Sequence, residues 1–378
     1  MSGIYIHIPF CKQACHYCDF HFSTSMGKKD AMLTAIKREL VLRKGEFKND
    51  VVATIYFGGG TPSVLTTEEI QGIIATVYTH YAVVDHPEVT LEANPDDLSE
   101  DKILALSKSP INRLSIGIQS FFEEDLKMMN RAHNAQEAKK SLALATQYFS
   151  NISIDLIYGV PEMSNQRWEE NIATALSFSI PHISSYALTV EPKTALANFI
   201  KKGLIKPLDD EIASTHFNSL LQKMEENGFD AYETSNFGKP GFYSENNTAY
   251  WLGKKYIGVG PSAHSYDGIR RGWNINNNAK YINALAIDQL PMEVEVLSKT
   301  DRYNEYIMTG LRTIWGVSLT RIQSEFGLEY YNYLLKQAEK HIEQGVLVVE
   351  NDTLVTTKKG KFLADGIASD LFMINLSE

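Results

Sequence analysis

In Tyr5-Ile6-His7-Ile8-Pro9-Phe10-Cys11-Lys12-Gln13-Ala14-Cys15-His16-Tyr17-Cys18, a β-rich run passes directly into three cysteines. The run Ile4–Ile8 reads as a strand closed by Pro9. The cysteines are spaced Cys-x3-Cys-x2-Cys and are the only three in 378 residues. Three is odd, so a closed disulfide framework is excluded. Three buried free thiols would be the plain alternative, but gathering every cysteine into eight residues argues for convergence on one metal centre. Zinc is one option, with His16 or His21 as fourth ligand, yet zinc spacing usually comes as two Cys-x2-Cys pairs and no second pair exists. A [4Fe–4S] cluster is the other. Three thiolates leave one of its irons open to an amine and a carboxylate of a small molecule.

Working outward, the β-run is the first of six. The others are Val52–Phe57, Glu88–Ala93, Arg113–Ile118, Ile152–Ile157 and His182–Leu188. Helical patterns lie between them over Asp30–Lys44, Thr67–Tyr78, Asp101–Ser107, Ala135–Tyr148 and Trp168–Phe178. Leu33, Ile36 and Leu40 carry the helical spacing in the first, and Thr66 or Thr67 is a natural N-cap for the second. Strand–helix alternation repeated six times predicts a parallel sheet with crossover helices. Such sheets place their chemistry beyond the carboxyl ends of the strands. Those ends carry Cys11, Gly58-Gly59-Gly60, Glu92-Ala93-Asn94-Pro95, Gln119 and Asp155.

At roughly 150 residues per domain, the length suggests two to three domains, or one α/β barrel with an appendage. We expect a core over residues 1–229, an irregular extension rich in Gly, Asn and Tyr over 230–297, and a small domain over 298–378. In the last, helices at Arg302–Thr313 and Tyr330–Gln344 precede runs at Val346–Glu350 and Leu354–Thr357. Asn351-Asp352 between those runs is a hairpin signal, and Lys359–Ser369 reads as a closing helix. This is a winged-helix-like α+β pattern. Nine Lys/Arg against eleven Asp/Glu in that stretch, within a chain of net charge −10, speak against DNA binding and for a structural or docking role. No run approaches 18 apolar residues and no signal segment is visible, so a cytoplasmic chain without a transmembrane helix is expected.

The Cys-x3-Cys-x2-Cys motif after a first strand, with Tyr17 before the last cysteine, resembles the radical S-adenosylmethionine superfamily. That resemblance implies a partial (β/α)6 TIM-like barrel. It also implies that Cys11, Cys15 and Cys18 hold a [4Fe–4S] cluster whose open iron binds the methionine part of S-adenosylmethionine. Reduction of the bound molecule yields a 5′-deoxyadenosyl radical in that superfamily. Gly58-Gly59-Gly60-Thr61-Pro62 resembles its motif for the methionine amino group. Glycine there lets a ligand approach the backbone and meet N–H donors. Carboxylates suit ribose hydroxyls, and Arg and Gln suit carboxylate and polar groups. By analogy Tyr5 would sit near the cluster and Tyr17 at the adenine side. Gly58, Gly59, Gly60, Thr61, Glu92, Gln119, Arg131 and Asp155 would contact the nucleoside or the methionine.

Tyr5–Cys11, Gly58–Pro62, Ser115–Phe121, Asp155–Pro161 and Ser185–Pro192 resemble more narrowly the oxygen-independent coproporphyrinogen III oxidases and the HemW-type heme chaperones. The oxidases carry a fourth cysteine two residues after the third, and an N-terminal extension. Here Phe20 holds the fourth-cysteine position and only four residues precede Tyr5. Both point to the chaperone branch: a heme-binding protein with cluster and S-adenosylmethionine that passes heme, by transient contact, to membrane-bound acceptors. The alternative is oxidative decarboxylation of coproporphyrinogen III. The chaperones usually show His-Asn-x-x-Tyr-Trp where this chain has Asn246-Asn247-Thr248-Ala249-Tyr250-Trp251. Asn246 therefore replaces the family's candidate heme ligand, and an amide is a poor iron ligand beside an imidazole. His264 and His21 remain as other imidazoles.

Overall fold

The computed structural model describes residues 2–47 and 50–374. Six strands run in chain order across the middle of one sheet: β1 (Ser2–Ile8), β2 (Val52–Gly59), β3 (Val83–Ala93), β4 (Arg113–Gln119), β5 (Ile152–Tyr158) and β6 (His182–Ala187). Each is parallel to the next. The crossovers carry α1 (Lys29–Arg43), α2 (Thr67–His80), α3 (Glu100–Ser107), α4 (Glu123–Met128), α5 (Ala135–Tyr148) and α6 (Asn165–Ser177). Thr66 caps α2 in a reciprocal box with Glu69, and Asn134 does the same for α5 with Glu137. Each box satisfies two of the amides left open at a helix start.

The strands alternate strictly, and the alternation sorts two environments. Ile4, Ile6, Ile8, Ile55, Phe57, Val89, Leu91, Leu114, Ile116, Ile154 and Leu156 are buried in one core with the helices. Each such side chain contributes about 1.5–3 kcal/mol on leaving water. The intervening residues are polar: Tyr5 and His7, Thr54 and Tyr56, Glu88 and Glu92, Arg113 and Ser115, Ser153 and Asp155, His182 and Ser184. They face the concave side and meet one another there. Tyr56 OH donates to Glu92 Oε1 at 2.8 Å, Ser153 Oγ pairs with His182 Nδ1 at 2.7 Å, and the Tyr5 and Tyr56 rings lie 6.0 Å apart. The sheet is thus a partial barrel with a polar lumen.

The stretch after residue 229 is more ordered than its composition suggested. Helix α7 (Ala195–Lys201) and α8 (Asp210–Glu226) lead to β7 (Asp230–Ala231) and β8 (Asn236–Gly238), and β8 pairs antiparallel with β6. Helix α9 (Glu245–Trp251) follows. Strand β9 (Tyr256–Val259) then runs parallel to β1, and β10 (His264–Tyr266), β11 (Arg270–Asn274) and β12 (Met292–Val296) extend the sheet to twelve strands. Composition hid β9 and β11 in part because tight packing demands a glycine inside each, Gly258 and Gly272. A Cβ at Gly258 would fall 1.9 Å from the His264 carbonyl oxygen. Helix α10 (Asn278–Leu285) and α1 hold this extension through a buried ion pair. Arg43 Nη1 donates to Glu39 Oε1 at 3.0 Å and to the Gly258 carbonyl at 2.7 Å, while Glu39 accepts from Gly260 N and Asn274 Nδ2.

Beyond Ser298 a second core forms, built from Tyr303, Ile307, Leu311, Ile322, Phe326, Leu334, Leu347, Leu354 and Ile367 among others. It gathers α11 (Lys299–Leu311), the short β13 (Val317–Ser318), α12 (Leu319–Arg321) with a wider turn at Ile322–Phe326, α13 (Leu328–Glu343) and the hairpin β14 (Leu347–Glu350) and β15 (Thr353–Thr356). Asn351 and Asp352 both take positive φ, 46° and 65°. Two such residues make the mirror-image turn whose twist suits a two-residue hairpin. The closing helix is shorter than expected: a tight turn at Lys361–Leu363 precedes α14 (Ala364–Asp370). Lys361 Nζ donates to the Ala231 carbonyl and Ile314 N to the Tyr232 carbonyl, which fastens the small core to the sheet end. Among the described residues no helix is long and apolar enough to cross a membrane.

Candidate functional site

The three cysteines lie in a loop that leaves β1 at its carboxyl end and is tied down from three sides. Cys11 N and the Ser23 carbonyl close its base at 3.1 Å. His16 N and Nδ1 reach the Met129 and Met128 carbonyls, and Asn130 Nδ2 donates to the Ala14 carbonyl at 2.7 Å. Lys12 pairs with Asp96 at 3.0 Å and with Asp97. From the far side, Leu196 N of α7 donates to the His16 carbonyl at 2.8 Å. These anchors come from the ends of β3, β4 and β6, so the loop is placed by the barrel and not by its own sequence.

The sulfurs have directed partners. Thr61 Oγ1 lies 3.4 Å from Cys11 Sγ, and Arg131 Nη1 lies 3.3 Å from Cys15 Sγ. Arg131 also donates through Nη2 to Asn94 Oδ1 at 2.7 Å and to the Gly117 carbonyl at 3.0 Å, with Tyr17 OH 3.5 Å from Nη1. Burial pushes the Cys18 thiol up to about 11 and raises that of Cys11. Both are therefore protonated at neutral pH in the metal-free chain, and a metal must displace those protons to bind.

Below the loop, the lumen supplies carboxylates in the wrong charge state for an empty polar pocket. Burial, with Asp155 nearby, pushes the Glu92 carboxyl up to about 7, against the hydrogen bond from Tyr56. Burial likewise pushes Asp155 up to about 6, although Ser184 and Ser115 bond to it. Tyr186 is 43% exposed, yet burial still drives its hydroxyl well above the ordinary value. A ring both open to water and surrounded by protein lines a concavity. Arg131 Nε is buried with no hydrogen-bond partner among the described residues. Under-compensated groups of both signs around an open space fit a polar ligand carrying hydroxyl, amine and carboxylate groups.

The glycine turn is built for contact with the protein as much as with a ligand. At Gly59, φ is +111° and a Cβ would strike the His7 ring at 2.5 Å; at Gly60 it would lie 2.7 Å from the Phe10 carbonyl oxygen. A Cβ at Gly58 would meet Tyr5 at 2.8 Å and Glu92 Oε1 at 3.1 Å. The amides of Gly60 and Thr61 already donate to the Ile8 and Phe10 carbonyls. These two N–H groups are therefore spent on the cysteine-loop backbone. Gln119, buried with φ of 66°, closes the next strand end, and the gap left by Gly117 is filled by Gln119 Nε2 and Arg131 Nη2.

The structure thus gathers Tyr5, Tyr17, Cys11, Cys15, Cys18, Gly58, Gly59, Gly60, Thr61, Glu92, Gln119, Arg131 and Asp155 around one end of the barrel. Asn94, named with the β3 end, belongs with them, as do Tyr56, Ser115, Ser184 and Tyr186, which went unread although period-two alternation in β2, β4 and β6 marked them as lumen residues. Asn246 lies elsewhere. It is buried under the opposite end, where its Oδ1 accepts from Thr54 Oγ1 at 3.0 Å and its N donates to Glu88 Oε1 at 3.1 Å. His21 is engaged through Nε2 with Asn278, and His264 is exposed on β10 beside Trp273. Among the described residues no three His, Cys, Asp or Glu side chains gather tightly enough to hold a single metal ion. The two histidines weighed as fourth zinc ligands are held elsewhere, His16 Nδ1 by the Met128 carbonyl and His21 Nε2 by Asn278.

Comparison with known proteins agrees in both halves of the chain. The Radical SAM superfamily model matches residues 5–175, and the HemN C-terminal domain model matches residues 297–363. The solved coproporphyrinogen III oxidase HemN of Escherichia coli, described as a radical SAM enzyme, superposes with a TM-score of 0.86. The match covers 98% of this chain and 90% of that one at 21% identity, which shows the shared fold. Among curated relatives, the heme chaperone HemW of Bacillus subtilis is 33% identical over 97% of this chain and 98% of its own length. The heme chaperone HemW of Escherichia coli is 31% identical over 98% of both. A shared barrel, a shared C-terminal domain and end-to-end similarity at this level have one meaning: the chain belongs to the HemW family of radical S-adenosylmethionine proteins.

Proposed function

We propose that this chain is a heme chaperone: it binds heme and hands it to acceptor proteins, and it keeps a [4Fe–4S] cluster with S-adenosylmethionine at the mouth of its barrel. The observation that carries the reading is Phe20, 70% exposed on the cysteine loop where the oxidases place a fourth cysteine, in a chain related end to end to heme chaperones.

In this reading Cys11, Cys15 and Cys18 are the cluster ligands. Thr61 and Arg131 donate to two of their sulfurs. Glu92 and Asp155 are placed for ribose or amine groups, Gln119 and Arg131 for a carboxylate, and Tyr5 and Tyr17 flank the nucleoside. When bound, the reduced cluster supplies one electron to the sulfonium. The chain's own contribution is to hold that pair in a lumen lined by fixed polar groups and closed below by α9. Asn246 is a floor residue whose side-chain oxygen accepts from Thr54 and whose backbone N–H donates to the Glu88 carboxylate, so heme ligation does not run through it. Residues 298–378, with their own core, act as a separate unit, while 230–297 adds β7–β12 to the sheet begun by residues 1–229. We place the protein in the cytoplasm, with transient contact to membrane-bound heme acceptors.

The test uses purified, anaerobically reconstituted protein. Saturable binding of heme is expected, together with no protoporphyrinogen formed from coproporphyrinogen III, S-adenosylmethionine and a reductant. Turnover of coproporphyrinogen III would replace the chaperone by the decarboxylase.

A further inference from the structure

Residues 188–206, between β6 and α8, form a strap across the mouth beside the cysteine loop. The contact is direct: Leu196 N bonds the His16 carbonyl, and the Phe199 ring stands edge-on to His16 at 4.9 Å. The strap carries Lys193, Lys201, Lys202 and Lys206 against Glu191 alone, in a chain of net charge −10. All four lysines are exposed. Lys206 reaches Glu162 only at 4.0 Å, and the other three make no ion pair among the described residues. Leu204 sits among them 70% exposed, with Val190 and Tyr186 exposed nearer the end of β6. Phe20 adds an exposed ring on the loop to which the strap is bonded.

Unpaired cations beside uncovered apolar side chains suit a ligand that is itself apolar and carries carboxylates. We propose that heme docks on this strap, its macrocycle against the exposed apolar side chains around Leu204 and its propionates paired with Lys201 and Lys202. The assignment rests on the heme-binding reading above and gives it a location. The strongly negative remainder of the chain opposes anionic lipid as the occupant and leaves a small dianion favoured.

The test is titration of the reconstituted full-length protein with ferric heme, followed by the Soret band. A K201E/K202E variant should bind about tenfold more weakly, because two exposed charge pairs become two repulsions. K201R/K202R should bind like wild type, and L204D should weaken binding without altering cluster content. No saturable binding by wild-type protein would bring down the chaperone reading itself. Wild-type binding with unchanged affinity in K201E/K202E would overturn the strap alone. The same unchanged affinity with lost sedimentation on phosphatidylglycerol vesicles would make the strap a lipid-facing surface instead.

Discussion

Arg131 Nη1 stands 3.3 Å from Cys15 Sγ while the same guanidinium grips Asn94 and the Gly117 carbonyl. A residue that reads as a ligand-carboxylate contact is thus also the charged donor to a cluster sulfur, fixed there by two strand ends. A donor and positive charge at a thiolate stabilise the more negative, reduced cluster. R131M should lower the cluster's reduction potential by about 60 mV, one decade for a one-electron couple, in an anaerobic redox titration without S-adenosylmethionine. An unchanged potential would show that Arg131 serves the ligand only.

The glycine turn should tolerate no side chain. G59A places a Cβ against the His7 ring at positive φ, and G60A drives one into the Phe10 carbonyl. Positive φ alone costs a non-glycine residue about 1–3 kcal/mol, and each clash adds to it. Both variants should lose thermal stability, and G60A should also reconstitute less cluster by iron and sulfide analysis, because Phe10 leads directly into Cys11.

Glu92 sets a pH dependence. Its folded carboxyl is raised to about 7, above the unfolded value, so the native state binds the extra proton. The stabilisation is present at low pH and is lost as pH rises through about 7. Asp155, raised to about 6, acts in the same sense. E92Q removes that titration. Its melting temperature in metal-free protein should exceed wild type by roughly 2 °C at pH 8, with a smaller gap at pH 5.5. Bound S-adenosylmethionine should shrink the difference if Glu92 accepts its hydroxyls.

Asn246 separates a floor residue from a heme ligand. N246A strands the Thr54 hydroxyl in a buried site, which costs about 1–3 kcal/mol. Urea unfolding should record that loss while the Soret spectrum and heme affinity stay at wild-type values. A shifted Soret band would return position 246 to the heme site.

The sequence by itself determined a good deal. The Cys-x3-Cys-x2-Cys spacing, the six strand–helix alternations and the Asn351-Asp352 hairpin are local signals, because metal spacing, helical period and turn chemistry act over a few residues. The residues of the barrel mouth were legible for the same reason: parallel strands put their chemistry at their carboxyl ends. What only the tertiary structure decided depends on contacts made across the sheet. The strands β9–β12 are only three to five residues long and do not announce themselves, and they exist because β1 offers an edge and Glu39 with Arg43 a buried clasp. The occupied amides of Gly60 and Thr61, the placement of Asn246 in the floor and the hold of Arg131 on Cys15 all join residues from 51 to 192 positions apart. No local pattern encodes such pairs. Closing the barrel brings them together, and burial then fixes which polar group each must satisfy.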